Sequence, residues 1–230
     1  MMGNRALIVN HSPKSIWAEA FRTLRTKIIY SKSGMVKSIL FTSASAGEGK
    51  SITVANTAVV LAQTNKKVIV VDCDLRKPVQ YKIFKKKKTS RGLTNFLTGE
   101  CEIADIVQDT DIPNLRLVTS GPLLVNPSEL LDSDKFKEAI SSLKEQADYI
   151  IIDSPPVLAV TDSCILGSKM DGIILVVGVE KVQPEMALRA KEHLEAVDGN
   201  ILGIIINRSD TFVEQNAYFH YCGNVGNVAN

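Results

Sequence analysis

What this 230-residue chain lacks is informative before anything it contains. Its four cysteines (Cys73, Cys101, Cys164 and Cys222) show no C-x-x-C pair or other metal-ligand spacing. That argues against a disulfide framework and a zinc site, and for a reducing compartment. Charge of one sign is also missing. The 27 Lys and Arg against 25 Asp and Glu leave +2, too little for bulk nucleic-acid binding, so no nucleic-acid partner is expected. No apolar run approaches the roughly 20 residues needed to cross a bilayer. The stretch before His11 and Pro13 is too short and broken for a secretion signal. The expectation is a cytoplasmic protein, held at a membrane, if it works there, by something else.

What is present fits one large globular domain, since 45% of the residues are hydrophobic and 23% charged. Its organising stretch is Ser43-Ala44-Ser45-Ala46-Gly47-Glu48-Gly49-Lys50-Ser51. This follows a short apolar run, Ser38–Thr42, and opens a helical pattern from Ile52 to Ala62. A strand, a glycine-bearing turn and a helix N-terminus in that order make a phosphate cradle. Gly47 and Gly49 let the backbone curl, Lys50 reaches the β- and γ-phosphates, and the Ser51 hydroxyl ligates Mg²⁺. Ala46, Glu48 and Ile52 complete the predicted nucleotide-binding segment. One departure from the usual P-loop is Ala44, which stands where the first glycine is generally found.

Two later strands end in acids. Val68–Val71 is an unbroken apolar run, as expected for a parallel strand buried on both faces. It delivers Asp72 and Asp74 to its carboxyl end, where ligands sit in open α/β sheets. Two acids beside a phosphate cradle can hold Mg²⁺ or its water and orient an attacking oxygen. Arg76 pairs either with phosphate or with an acidic neighbour. Tyr149–Ile152 is a second buried strand, ending in Asp153 before a turn forced by Pro155 and Pro156. An acid so placed binds the Mg²⁺ shell opposite the Ser/Thr ligand in P-loop NTPases.

The remaining chain alternates the same elements. Helices are expected over Leu93–Leu97, over a short segment capped by Ser128, from Ser133 or Asp134 to about Ala147, over Asp162–Ser168 and over Pro184–Val197. An amphipathic segment covers Ile103–Val107, and strands cover Asn114–Thr119, Gly172–Gly178 and Ile201–Asn207. The fold class is α/β, a predominantly parallel sheet covered by helices on both faces. Asn207-Arg208 leaves the last strand at its ligand-facing end, either to contact a purine edge or as an ordinary turn. The basic run Lys85–Lys88 reads as a solvated loop in preference to a dock for an acidic peptide or anionic membrane. Near the N-terminus, Ser15 caps a helix spanning about 15–30, with Trp17, Phe21, Leu24 and Ile28 on one face. Glu19, Arg22 and Arg25 fall off that face, as a solvated outer side or as a subunit contact. From about residue 216 the chain loses periodicity and apolar mass, which suggests a flexible tail carrying Tyr218 and Tyr221. The expected division is one domain over 1–215 and a tail over 216–230.

Together these residues carry a resemblance. Ser43–Ser51, Ile69–Arg76 and Ile150–Pro155 look like the Walker A, A′ and B set of bacterial tyrosine kinases. Glu19-Ala20-Phe21-Arg22-Thr23-Leu24-Arg25, Asn126-Pro127-Ser128-Glu129-Leu130-Leu131 and the tyrosine-bearing tail also match. The absence of a membrane span resembles the Gram-positive arrangement, a separate kinase activated by the cytosolic tail of a membrane-embedded adaptor in capsule or exopolysaccharide synthesis. The resemblance implies a P-loop fold with a deviant Walker A motif, and transfer from MgATP to tyrosines, including Tyr218 and Tyr221. It implies that Lys50 neutralises the moving phosphate, that Ser51, Asp153 and Asp74 hold Mg²⁺, and that Asp72 accepts or orients the tyrosine proton. It further implies a ring-like homo-oligomer contacting through Glu19, Arg22 and Arg25, other tyrosine-bearing protein substrates, a cognate tyrosine phosphatase, and recruitment to the inner face of the membrane. Relatives usually have proline at the place of Ala46 and a denser tyrosine cluster. A second reading is an ATP-switched positioning protein, like the chromosome-partition and division-site ATPases. Those carry a signature lysine at the place of Ser45, which this chain lacks.

Overall fold

The computed structural model describes residues 6–31, 36–87, 91–179 and 181–207. Two N-terminal helices, α1 (Ile8–His11) and α2 (Ile16–Ile29), precede strand β1 (Ser38–Ser43) and the P-loop helix α3 (Lys50–Ala62). Strand β2 (Val68–Asp72), α4 (Gln80–Ile83), α5 (Leu93–Leu97), a 3₁₀ turn at Ile103–Asp105, β3 (Val107–Asp109) and β4 (Leu115–Val118) follow. The chain continues through α6 (Pro127–Asp132), α7 (Asp134–Gln146), β5 (Tyr149–Asp153), α8 (Asp162–Gly167), β6 (Gly172–Gly178), α9 (Pro184–Glu195) and β7 (Ile201–Asn207).

The strands form one sheet in the order β3-β4-β2-β5-β1-β6-β7, parallel throughout except for the antiparallel β3–β4 pair. Alternate residues of the central strands feed two separate cores, because successive side chains of a strand point to opposite faces. Leu40, Ile69, Val71, Ile150, Ile152, Ile173 and Leu175 pack on the side that receives Phe136, Ala139, Ile140 and Leu143 of α7 and Leu194 of α9. Ile39, Phe41, Val68, Val70, Ile151, Ile174 and Val176 pack on the other, against Val54, Ala58 and Leu61 of α3 and Ile28 of α2. This two-sided burial is why these strands read as continuous apolar runs rather than alternating ones.

Helix α3 is buried on nearly every side, because the N-terminal segment lies across its outer surface. Asn56 stitches the two together, accepting the Val9 N–H at 3.2 Å and donating to the Ala6 carbonyl at 2.8 Å. Several expectations change here. Trp17 is 45% exposed. The inner side of α2 is instead Ala18 and Ile28, with Phe21, Leu24 and Ile29 partly buried, a narrower stripe than one reaching Trp17. Ser128 does not cap α6. Asn126 precedes that helix, Pro127 begins it, and the Ser128 hydroxyl is spent on Asp162. The amphipathic segment around Ile103–Val107 divides into the 3₁₀ turn and strand β3. Ser15 and Ser133 do cap α2 and α7, accepting from Ala18 N–H and Phe136 N–H. Arg208, Tyr218 and Tyr221, Lys88 and the expected tail lie outside the described residues.

Candidate active site

The sheet order puts the three motif-bearing strands side by side. Strand β5 lies between β1 and β2, with Asp153 opposite Phe41 on one neighbour and opposite Asp72 on the other. The P-loop, the β5 carboxylate and the β2 carboxylates therefore emerge at one end of the sheet, where a ligand crevice forms in such folds.

The loop's shape follows from its glycines. Gly47 and Gly49 have φ of +85° and +87°, a left-handed region that other residues rarely adopt. At Gly49 a Cβ would also fall 2.1 Å from Asn207 Nδ2. That Asn207 amide donates to the Glu48 carbonyl at 2.7 Å, so the end of β7 braces the loop. The Glu48 side chain is itself buried. It accepts from the Ser45 N–H and, at 2.8 Å, from the Gly178 N–H of β6. Glu48 thus holds the loop to the sheet through its carboxylate, while Ala46 and Gly47 remain exposed at the loop tip. Helix α3 follows at once, its first-turn N–H groups without intrahelical acceptors and its positive end toward the same space.

Lys50 folds inward. Its ammonium forms a buried ion pair with Asp153 Oδ1 and donates to Ser51 Oγ at 3.2 Å. Asp153 Oδ2 is taken by Gln80 Nε2 at 2.6 Å. Asp72 Oδ2 accepts the N–H groups of Val79 and Gln80 at 3.0 and 2.9 Å, whereas its Oδ1 is buried without a partner among the described residues. Burial, with Asp153 beside it, pushes the Asp72 carboxyl up to about 8 against the pull of the Gln80 N–H and Lys50. Asp74 lies just off the strand, 9% exposed, and accepts the Lys77 N–H at 2.9 Å. The Cys73 thiol between them is buried and pushed well up, chiefly by desolvation, so it is no nucleophile.

Arg76, left between two partners by the sequence, forms a two-pronged pair with Asp162, Nε to Oδ2 and Nη2 to Oδ1, each at 3.0 Å. The residue that sequence reasoning missed is Gln80. It sits in a short helix with no periodic signature, and no motif spacing marks it.

These residues fit a Mg²⁺-nucleotide. The cradle needs left-handed backbone at Gly47 and Gly49, a buried cation waits beside it, and an orphaned carboxylate oxygen faces the same cluster. No group of three His, Cys, Asp or Glu able to hold a metal occurs among the described residues. Mg²⁺ would suit such a sparse donor set, since it usually takes one or two carboxylates and completes its shell with phosphate and water.

Residues 36–194 match the family model described as AAA domain. The chain is 43% identical over 204 residues to the tyrosine-protein kinase YwqD of Bacillus subtilis, covering 88% of this chain and 86% of the relative. Among solved structures it resembles the chimerical protein CapA2B2 with a TM-score of 0.85 at 37% identity, covering 89% of this chain and 90% of the other. It also resembles the kinase domain of the Escherichia coli tyrosine kinase ETK with a TM-score of 0.83 at 27% identity, covering 89% and 82%.

Proposed function

The chain belongs to the bacterial tyrosine-protein kinases, and from that premise we propose that it phosphorylates Tyr218 and Tyr221 of its own tail, using MgATP held in the P-loop cradle. The observation that carries this reading is the juxtaposition, at adjacent strand ends, of the Lys50–Asp153 pair with the Asp72 carboxylate, whose Oδ1 has no partner among the described residues.

Bound MgATP would supply the phosphoryl group and a divalent cation to neutralise the negative charge spread over its oxygens. Everything else falls to the chain. The N–H groups of residues 46–52 and the start of α3 bind the phosphates, and Lys50 exchanges Asp153 for a phosphate oxygen. Ser51 and Asp153, assisted by Asp74, hold the cation directly or through water. Asp72 orients and accepts the tyrosine O–H proton. An ordinary aspartate is a weak base for this task, but burial makes Asp72 more basic. A divalent charge nearby would pull its proton affinity back down, leaving it ionised when substrate arrives. On this reading residues 1–215 form the catalytic domain and 216–230 the acceptor tail.

The same reading extends to partners. No helix among the described residues is long and apolar enough to cross a membrane, so recruitment to the inner membrane face would fall to an adaptor with a cytosolic activating tail. Solution of a relative as a chimerical protein supports looking for such a partner. Glu19, Arg22 and Arg25 would join copies into a ring that presents one tail to the next active site. A tyrosine phosphatase would reverse the modification, and capsule or exopolysaccharide synthesis would be the regulated process. The positioning-ATPase reading gives way to the tyrosine-kinase relationship over 88% of the chain.

The test is mass spectrometry of the purified chain after incubation with MgATP, alone and with a candidate adaptor tail. Phosphate on Tyr218 or Tyr221 that disappears in Lys50→Met and in the Tyr218→Phe/Tyr221→Phe double variant is expected. Phosphate confined to other residues, or retained in Lys50→Met, overturns the assignment.

A further inference from the structure

Gln80 hydrogen-bonds to three of the segments that build the site. Its side chain is fully buried, and its amide nitrogen donates both to Asp153 Oδ2 at 2.6 Å and to the Ser51 carbonyl at 3.0 Å. Its backbone N–H donates to Asp72 Oδ2 at 2.9 Å. One residue therefore ties together the first turn of α3, the β5 carboxylate and the β2 carboxylate. The amide orientation is fixed by this network, because a flipped amide would set its oxygen against two acceptors. Both amide hydrogens are thereby spent, and Oε1 is left buried without a partner among the described residues, as is Asp72 Oδ1. An orphaned buried acceptor has lost its water without gaining a donor in return. Two in one cluster mark a place where donors are meant to arrive.

We propose that Gln80 is a positioning residue for the divalent cation. It pins Asp153 by Oδ2, so that Oδ1 is the oxygen delivered to the metal shell when Lys50 leaves for phosphate, and it offers Oε1 to a water of that shell. This deepens the MgATP reading above and rests on it. Magnesium keeps several waters and binds few carboxylates, so the orientation of its single firm carboxylate and of its waters decides how well the site holds it.

The experiment is calorimetric titration of the nucleotide-free full chain with ADP, with and without Mg²⁺. Gln80→Met keeps the buried volume and removes both the donor and the acceptor. The expected result is that Mg²⁺ tightens ADP binding about tenfold less than in the wild type, the scale seen when a partner behind a metal ligand is lost, while Mg²⁺-free affinity stays unchanged. Gln80→Asn, with the same amide one methylene shorter, should show the same selective loss and serves if Gln80→Met does not fold. Equal losses with and without Mg²⁺ would make Gln80 a purely structural residue, and an unchanged Mg²⁺ effect would remove it from the site; either overturns the proposal. A wild-type chain whose ADP affinity ignores Mg²⁺ would instead overturn the MgATP reading itself.

Discussion

Asp72 and Asp162 are both fully buried carboxylates, yet Asp72 faces Asp153 across a parallel strand pair while Asp162 faces the guanidinium of Arg76. Burial penalises the charge of each. At Asp162 the hydrogen bonds from Arg76 and Ser128 and the Arg76 charge outweigh that penalty, and its carboxyl falls below the usual range. At Asp72 the neighbouring Asp153 adds to the penalty, so its carboxyl rises to about 8, and its Oδ1 has no partner among the described residues. A satisfied buried charge ties elements together, here the loop after β2 with α6 and α8. A frustrated one stores a demand for a cation or a proton, which is what a site for charge transfer requires.

The sharpest way to break this contrast is to remove the frustrated charge. Asp72→Asn should lower phosphoryl transfer about 100-fold or more, the scale of losing a positioned acid–base group. It should also stabilise the nucleotide-free fold. A carboxyl raised from the usual 3.8 to about 8 by folding contributes stability that is complete below the lower value and lost as pH rises through the upper one. The thermal midpoint of the wild type should therefore fall relative to Asp72→Asn between about pH 4 and pH 8, with the two converging in acid. A variant less stable than wild type at pH 8 would show that the ionised Asp72 is not under strain.

Arg76→Ala attacks the satisfied partner and should do the reverse. It leaves the buried Asp162 without its cationic partner, at a cost of about 1–3 kcal/mol near neutral pH by denaturant unfolding. Because Asp162 is lowered in the fold, the stability it contributes is present above the usual carboxylate range and lost as pH falls through its folded value. The deficit of Arg76→Ala should accordingly shrink in acid. A rise in the KM for ATP with unchanged stability would instead make Arg76 a phosphate ligand.

The reach of the sequence differs between these two carboxylates for physical reasons. Strands β1, β2, β5 and β6 were legible because two-sided burial demands unbroken apolar runs, and the cradle was legible because phosphate binding constrains its residues and spacing. That Asp72 and Asp153 would stand on neighbouring strands was not, since strand order is a tertiary outcome. The same holds for Arg76, whose partner arrives from α8. The strand Val107–Asp109 is too short to show a period, and α4 is a single turn whose importance lies in Gln80 contacting three other segments. Trp17 shows the opposite error, a helical period extended one turn beyond the face that packing uses.

The smallest effect on stability is expected at a charge pair of a third kind, partly exposed, whose guanidinium has the Pro13 carbonyl as a further partner. Arg22 Nη1 meets Glu19 Oε2 at 2.8 Å on α2, with both side chains substantially open to solvent. Such a pair contributes under about 1 kcal/mol, so Arg22→Ala/Arg25→Ala should leave the unfolding midpoint almost where it was. If that side of α2 joins subunits, the same double variant should reduce the mass read by light scattering to that of a monomer, because removing the guanidinium groups from a repeated interface takes a contact from every subunit at once. An unchanged assembly with unchanged stability would return Glu19, Arg22 and Arg25 to an ordinary solvated helix face. A lower mass accompanied by a large loss of stability would mean that these arginines support α2 where it lies across the P-loop helix, placing them with Arg76 among the charges that hold the fold.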